Sequence, residues 1–310
     1  MARRVAVVPL ACGVFVEVVR EVRSAGCAGG VEVSVRTSEA VSQPVWSHSC
    51  TLDDLVLPYA VDRAAYGLLE TGAGWNRRWI TAWKTARADV KCPVRDLAGF
   101  PALVSAPVRG FTWRAGQRHR PGLQYMLATD RMHGFESLAE RRVLLALDFV
   151  GDVEEVLSQP FRLRFTTVDG SEDHIPDFLV LLPGAAVLID VRPGHLVKDE
   201  DLVKFAAAEQ AAAAAGWRYL VVAGWRRHVG TGLDVLSARR RPMADCLGLQ
   251  GELLELVAER PRRFGALVDA TSLPAVARAH AVHLLWHRCL AVDLTRPLGD
   301  AAWIYPVGRL

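Results

Sequence analysis

The feature that most constrains the fold is a pair of short apolar segments joined by a tight turn. Residues 178–182 and 186–191 are apolar almost throughout, and Pro183 and Gly184 lie between them. Two apolar runs at this spacing predict a hairpin that is buried on both faces. A sheet covered on both faces needs helices or a second sheet as outer layers, so the hairpin predicts the centre of a layered α/β domain.

The segments around the hairpin supply such layers. Residues 137–149 have helical apolar spacing with Ser137 as a candidate N-cap, and residues 199–215 form an alanine-rich helix that ends at Gly216. Phe161, Leu163 and Phe165 alternate with arginines as a half-buried strand, and residues 219–222 are a further buried strand. The predicted order is helix, three strands, helix and strand, in a mixed sheet.

The chain length of 310 residues favours two or three units. We assign residues 1–105 to an N-terminal α+β region of unknown role and residues 106–235 to the α/β core. Residues 236–310 are predicted to form a helical unit that ends in a small hairpin, for which a winged-helix-like arrangement is one interpretation.

Composition excludes several classes of protein. Hydrophobic residues make up 51% and charged residues 23% of the chain, which is ordinary for a globular protein. The six cysteines show no Cys-x-x-Cys spacing, which argues against a zinc knuckle or a disulfide framework. Arg3 and Arg4 precede an apolar stretch as in a signal peptide, but Pro9 and the charges from Glu17 onward argue against secretion. No segment reaches the roughly 20 apolar residues of a membrane span. We therefore expect a cytoplasmic protein without a membrane partner.

Two aspartates flank the predicted hairpin at equal distances from its turn. If the loop is symmetric about Pro183 and Gly184, Asp177 and Asp190 lie directly opposite each other, with Cβ atoms roughly 4.5–5.5 Å apart. Two facing carboxylates repel each other unless a cation lies between them. Mg²⁺, for which Mn²⁺ can substitute, suits such oxygen ligands and phosphodiester hydrolysis. Glu140, on the preceding helix, is the candidate third metal ligand.

Candidate partners of these acids have competing interpretations. Arg192, two residues after Asp190, would face the same side of the strand and stabilise charge on a phosphate. Lys204 on the next helix could supply an amine or be a solvated lysine, and Lys198 is a weaker candidate. His174 could position a phosphate or act as a hydrogen-bonding residue at the rim, and Gln159 could enter the site or serve as a turn amide.

A basic segment precedes the first core helix. From Arg109 to Arg131 it carries five arginines against the single acid Asp130, whereas the whole chain is nearly balanced with 37 basic and 34 acidic residues. We predict that this segment faces DNA phosphates. The arginines assigned to this surface are Arg114, Arg118, Arg120 and Arg131.

These motifs together resemble the catalytic domain of TnsA-type transposase endonucleases over about residues 105–235. The resemblance rests on residues 135–140 (FESLAE), on Gln159 and Pro160, on residues 174–178 (HIPDF) and on residues 190–193 (DVRP). It implies a restriction-endonuclease-like fold of the PD(D/E)XK type, with Glu140, Asp177 and Asp190 holding the metal. Arg192 stands where the family usually has a catalytic lysine, and an arginine stays protonated near neutral pH.

The resemblance also implies an activity and its partners. Such subunits nick DNA at transposon ends, usually the 5′ ends, beside a DDE-type recombinase and an AAA+ regulator. Two alternatives stay open. One is a catalytically weak DNA-binding and assembly subunit with the same fold, and the other is a stand-alone restriction or repair nuclease.

Overall fold

The computed structural model describes residues 4–10, 14–20, 43–112 and 120–308. The chain divides into two compact units, Met1–Pro44 and Val45–Leu310. In the first unit, strands β1 (Arg4–Leu10) and β2 (Val14–Arg20) pair as an antiparallel hairpin. The strand-like alternation of Val31, Val33 and Val35 lies outside the described residues.

The second unit is a mixed α/β structure. Its described helices are α1 (Leu52–Leu55), α2 (Arg63–Gly67), α3 (Trp75–Arg78), α4 (Leu138–Val150), α5 (Asp199–Ala214), α6 (Val229–Ser237), α7 (Leu249–Glu259), α8 (Phe264–Asp269) and α9 (Pro274–Trp286). Its described strands are β3 (Val56–Pro58), β4 (Ile80–Thr85), β5 (Asp89–Pro93), β6 (Ser105–Ala106), β7 (Gly122–Met126), β8 (Arg131–Phe135), β9 (Glu155–Ser158), β10 (Arg162–Thr167), β11 (Gly170–His174), β12 (Phe178–Leu182), β13 (Ala185–Val191), β14 (Arg218–Trp225), β15 (Arg262–Arg263), β16 (Leu290–Val292) and β17 (Trp303–Pro306).

A five-stranded mixed sheet forms the centre, in the order β3-β14-β13-β12-β9. Strands β12 and β13 are the predicted hairpin, and Gly184 in their turn has a φ of +72°, which glycine adopts without strain. Strands β13 and β14 are parallel, a pairing that requires a crossover connection, and α5 supplies it. The predicted mixed sheet between helices is therefore confirmed at this level.

The two faces of this sheet carry different cores because side chains alternate along each strand. Val187, Ile189 and Phe178 belong to one core together with apolar residues of α4. Leu188, Leu179 and Leu157 belong to the other, which includes the buried alanines of α5. Asp177 and Asp190 lie two residues from Leu179 and Leu188, so both aspartates are on the α5 face.

The prediction of three strands between the core helices was wrong in detail. Strand β10, which carries Phe165 and Leu163, belongs to a second sheet of order β11-β10-β4-β5, in which β6 also pairs with β4. The edge strand of the central sheet is instead β9, which the sequence analysis missed. All four residues of β9 are buried, Glu155 among them, so β9 shows none of the alternation that identified β10.

The last part of the chain has the order α7, β15, α8, α9, β16, β17, and its small sheet has the order β15-β17-β16. His280 and His283 of α9 are buried and contact Gln250 and the Arg239 carbonyl. They therefore do not form the exposed histidine face that their spacing suggested. Among the described helices, none has the length and apolar character needed to cross a membrane.

Candidate active site

The site is built on a row of residues across three neighbouring strands. Phe178 pairs with Ile189 on one side and with Ser158 on the other. One step further in the same register, Asp177 lies opposite Asp190 and also opposite Gln159. The backbone N–H of Gln159 donates to the Asp177 carbonyl at 2.7 Å. The predicted placement of the two aspartates therefore agrees with the register of the hairpin.

Asp177 is held by the strand on which its partner lies. The Val191 N–H donates to Asp177 Oδ2 at 2.7 Å, which fixes one carboxylate oxygen at the end of β13. Asp177 itself is half-buried, so the carboxylate is enclosed but still reaches solvent.

Glu140 reaches the same end of the sheet from the first turn of α4. Its N–H donates to Ser137 Oγ at 3.2 Å, and the Ser137 hydroxyl donates to Glu140 Oε1 at 2.7 Å. The Glu136 N–H donates to Glu140 Oε2 at 2.7 Å. Ser137 is therefore the N-cap, as predicted, and the Glu140 carboxylate, only 6% exposed, also closes a capping box.

The three carboxylates influence one another electrostatically. The pKa of Asp177 is raised well above its usual value of 3.8, chiefly because burial disfavours the charged form and next because Glu140 and Asp190 are negative. The Val191 N–H opposes this rise in pKa. No basic side chain of the described residues is among the main groups that shift this pKa, so negative charge accumulates here.

Asp190 is bound on both sides by neighbours of opposite hydrogen-bonding character. His174 Nε2 lies 3.0 Å from each Asp190 oxygen, and the Tyr219 hydroxyl donates to Asp190 Oδ2 at 2.6 Å. Burial, followed by the negative charge of Asp190, raises the pKa of Tyr219 well above its usual value. Asp190 is only 3% exposed, and these two side chains stabilise its charge in the absence of bulk water.

The predicted basic partners lie beside the row rather than in it. Arg192 Nε donates to the Leu196 carbonyl and to Asp201 Oδ2, each at 3.1 Å, so the guanidinium is held at the start of α5. Lys204 lies one turn along α5, half-buried, and makes no hydrogen bond or ion pair with any described residue. Lys198 is exposed and forms an ion pair with Glu200 at 3.6 Å.

The row fits a hard divalent cation in charge and in donor type, since all three acids offer oxygen ligands. Each carboxylate oxygen has two lone pairs, and the hydrogen bonds described above leave part of this capacity open. Across the described part of the chain, however, no three His, Cys, Asp or Glu side chains are placed to hold a metal ion together. The side chains lie close enough to influence one another but do not form a closed ligand set.

The predicted DNA-facing arginines are only partly described. Arg114 and Arg118 lie outside the described residues, and Arg120 is exposed. Arg131 forms an ion pair with Glu155 at 2.5 Å, and Arg109 approaches Glu136 at 3.7 Å. Glu155 and Glu136 thus offset part of the positive charge that the sequence assigned to this segment.

Two residues of the site were not fully recognised in the sequence. Tyr219 was assigned only to a buried strand, yet it pairs with Leu188 and so lies diagonally beside Asp190 on the same face. Gln159 was considered but not chosen, and it has a φ of +47° and a side-chain oxygen that is buried without a hydrogen-bond partner. A polar residue in an otherwise apolar strand was the available signal for Tyr219.

Comparison with models of known protein families gives no match to this chain, and comparison with curated protein sequences gives none either. The functional argument therefore depends on the site.

Proposed function

We propose that this chain is a metal-dependent DNA endonuclease subunit of a heteromeric transposase that nicks DNA at transposon ends. The carrying observation is that Asp177 and Asp190 face each other in adjacent strands, with Glu140 close enough to raise the pKa of Asp177. Repulsion of this kind is costly for folding, and it is relieved when a cation shared by the acids is bound.

The topology around the acids supports the same proposal. The order α4, β9, β12, β13, α5, β14, with a parallel pair at β13 and β14, agrees with a restriction-endonuclease-like core into which the β10–β11 hairpin is inserted. The order of α7 to β17, with β17 central in its sheet, supports a winged-helix-like unit, a common DNA-binding arrangement.

The reaction would be hydrolysis of one phosphodiester bond. A bound divalent cation would polarise the phosphate and lower the pKa of a water molecule. Asp177, Asp190 and Glu140 would hold that cation, and Tyr219 and His174 would keep Asp190 oriented. The water oxygen bonds to phosphorus while one ester P–O bond breaks. One water proton leaves to a neighbouring carboxylate, and the departing oxygen takes a proton from solvent.

Closing the ligand set would require a small rearrangement at Asp190. Its oxygens are engaged by His174 and Tyr219, so a cation would take lone pairs that these hydrogen bonds leave open. Binding of transposon-end DNA would supply phosphate oxygens as further ligands.

A second candidate function is a catalytically weak DNA-binding and assembly subunit. The observation in its favour is that Arg192 is held by Asp201 and Leu196, so no basic side chain is hydrogen-bonded to the acids within the described residues except His174. In that case the acids would be remnants of a nuclease site, and the chain would act through the DDE-type recombinase and the AAA+ regulator.

The test is nicking of DNA that carries the ends of the element, with Mg²⁺ or Mn²⁺, in the presence and absence of the recombinase encoded beside the gene. We expect metal-dependent nicks that are lost in Asp177→Ala and Asp190→Ala but retained in Asp173→Ala. Asp173 is a suitable control because it pairs with Arg164 away from the acid row.

Binding without nicks under all conditions would favour the assembly subunit. Nicking of DNA without element ends and without a recombinase would favour a stand-alone restriction or repair nuclease.

A further inference from the structure

Gln159 combines three properties that seldom occur together in a residue with only a structural role. Its side chain is 2% exposed, its Oε1 atom has no hydrogen-bond partner, and its backbone adopts a left-handed φ of +47°. A buried amide normally finds partners, and a left-handed φ is unfavourable for a side chain of this size. Both features therefore persist at a cost to stability.

The backbone around Gln159 fixes its position relative to the acids. Its N–H donates to the Asp177 carbonyl, and its own carbonyl accepts from the Val108 N–H at 3.1 Å. The alternation that places Leu157 on the α5 face places Gln159 on that face as well. Side chains directly opposite in neighbouring strands lie about 5 Å apart, so the carboxamide is a neighbour of the Asp177 carboxylate.

The chemistry of the neighbours determines what this amide can bind. The nearest side chains of the row are carboxylates, which accept hydrogen bonds and cannot donate to Oε1. A donor must therefore come from outside the row, and a water molecule between the carboxylates and the amide would supply one.

We infer that Gln159 is a positioning residue of the proposed nuclease, and that its carboxamide oxygen accepts a hydrogen bond from the attacking water. This inference rests on the proposed function. Gln159 stays neutral throughout, because the water proton that is lost in the reaction leaves to a carboxylate and the proton bonded to Oε1 stays on the nucleophile. The strained backbone holds the amide at the height of the acid row.

The substitution Gln159→Met tests this inference because methionine keeps the length of the side chain and removes its hydrogen bonding. Since no bond to Oε1 is lost, we expect the melting temperature to stay equal or rise. We expect kcat for Mg²⁺-dependent nicking to fall by about tenfold or more, with KM for DNA changed by no more than about twofold.

Two matched controls separate this effect from general damage. Ser158 precedes Gln159 and also has a buried oxygen without a partner, but it pairs with Phe178 and faces the other side of the sheet. Ser158→Ala should therefore keep the wild-type kcat. Gln124 is equally buried but hydrogen-bonded at both ends, to the Tyr125 carbonyl and Arg141, so Gln124→Met should lower the melting temperature.

The outcomes are distinguishable. A wild-type kcat in Gln159→Met, with activity abolished in Asp177→Asn, would leave the nuclease standing and overturn the role of Gln159. A lower melting temperature in Gln159→Met, with an equal loss of kcat in Ser158→Ala, would also overturn it, in favour of a structural role. If the wild-type protein gives no nicks under any condition, the proposed function fails and this inference fails with it.

Discussion

Replacing Asp177 with asparagine should make the metal-free protein more stable. Asparagine is nearly isosteric, and its Oδ1 can still accept the Val191 N–H that binds Asp177 Oδ2 at 2.7 Å. The substitution removes a charge that is disfavoured by burial and by the negative neighbours Glu140 and Asp190. The change therefore removes repulsion and keeps the hydrogen bond.

The sign of the pH dependence follows from proton binding. The pKa of Asp177 is raised above 3.8 in the folded protein, so the folded state holds this proton over a pH range in which the unfolded chain has lost it. The free energy of unfolding of the wild-type protein therefore falls as the pH rises from about 4 through the raised pKa. The advantage of Asp177→Asn should be small near pH 4 and complete above that raised value.

The magnitude can be bounded from the structure. Asp177 is half-buried, so its repulsion is partly screened by water, and we count only one unit of its pKa shift, about 1.4 kcal/mol. In a folded unit of this size that corresponds to a melting temperature higher by about 3–5 °C. The assay is thermal unfolding of both proteins in EDTA over a range of pH.

A control with the opposite sign lies four residues earlier. The pKa of Asp173 is lowered, chiefly by its hydrogen bonds with Arg164, so Asp173→Asn should destabilise the protein at neutral pH by up to about 1 kcal/mol. Mg²⁺ should raise the melting temperature of the wild-type protein and have little effect on Asp177→Asn. An Asp177→Asn protein that is no more stable than wild type at neutral and alkaline pH would refute the reasoning.

Two further substitutions probe the surroundings of Asp190. Tyr219→Phe removes the 2.6 Å hydrogen bond to Asp190 and should lower the free energy of unfolding by about 1–2 kcal/mol in chemical denaturation, together with a lower nicking rate; unchanged values of both would show that His174 alone orients Asp190. Arg192→Lys should preserve or raise nicking if this position has the role of a catalytic lysine, although the lysine cannot keep both bonds to Leu196 and Asp201. Complete loss of nicking in Arg192→Lys, measured with plasmid DNA, would show that the guanidinium is required.

The hairpin and the acid row could be predicted from the sequence because short-range rules determine them. A two-residue turn at Pro183 and Gly184 sets the pairing, so the position of Asp190 opposite Asp177 follows from counting. The Ser137 cap and the end of α5 before Gly216, whose φ is +72°, follow from local backbone preferences.

The rest could not be predicted because it depends on long-range packing. Strand β9 is short, wholly buried and contains Glu155, so it resembles neither an alternating strand nor an apolar run. Strand β4, from the region without an assigned role, recruits β10 into a second sheet. Likewise, nothing local to Arg192 indicated that Asp201 would hold it at the start of α5.

The most direct test of the central claim is the rate of Mg²⁺-dependent nicking of transposon-end DNA by the wild-type protein and by Asp177→Asn, with EDTA as the blank. If the acid row is a metal-dependent nuclease site, the wild-type protein nicks only with metal, and the more stable Asp177→Asn protein does not nick. Equal metal-dependent nicking by both proteins would contradict the assignment of Asp177 and of the row around it.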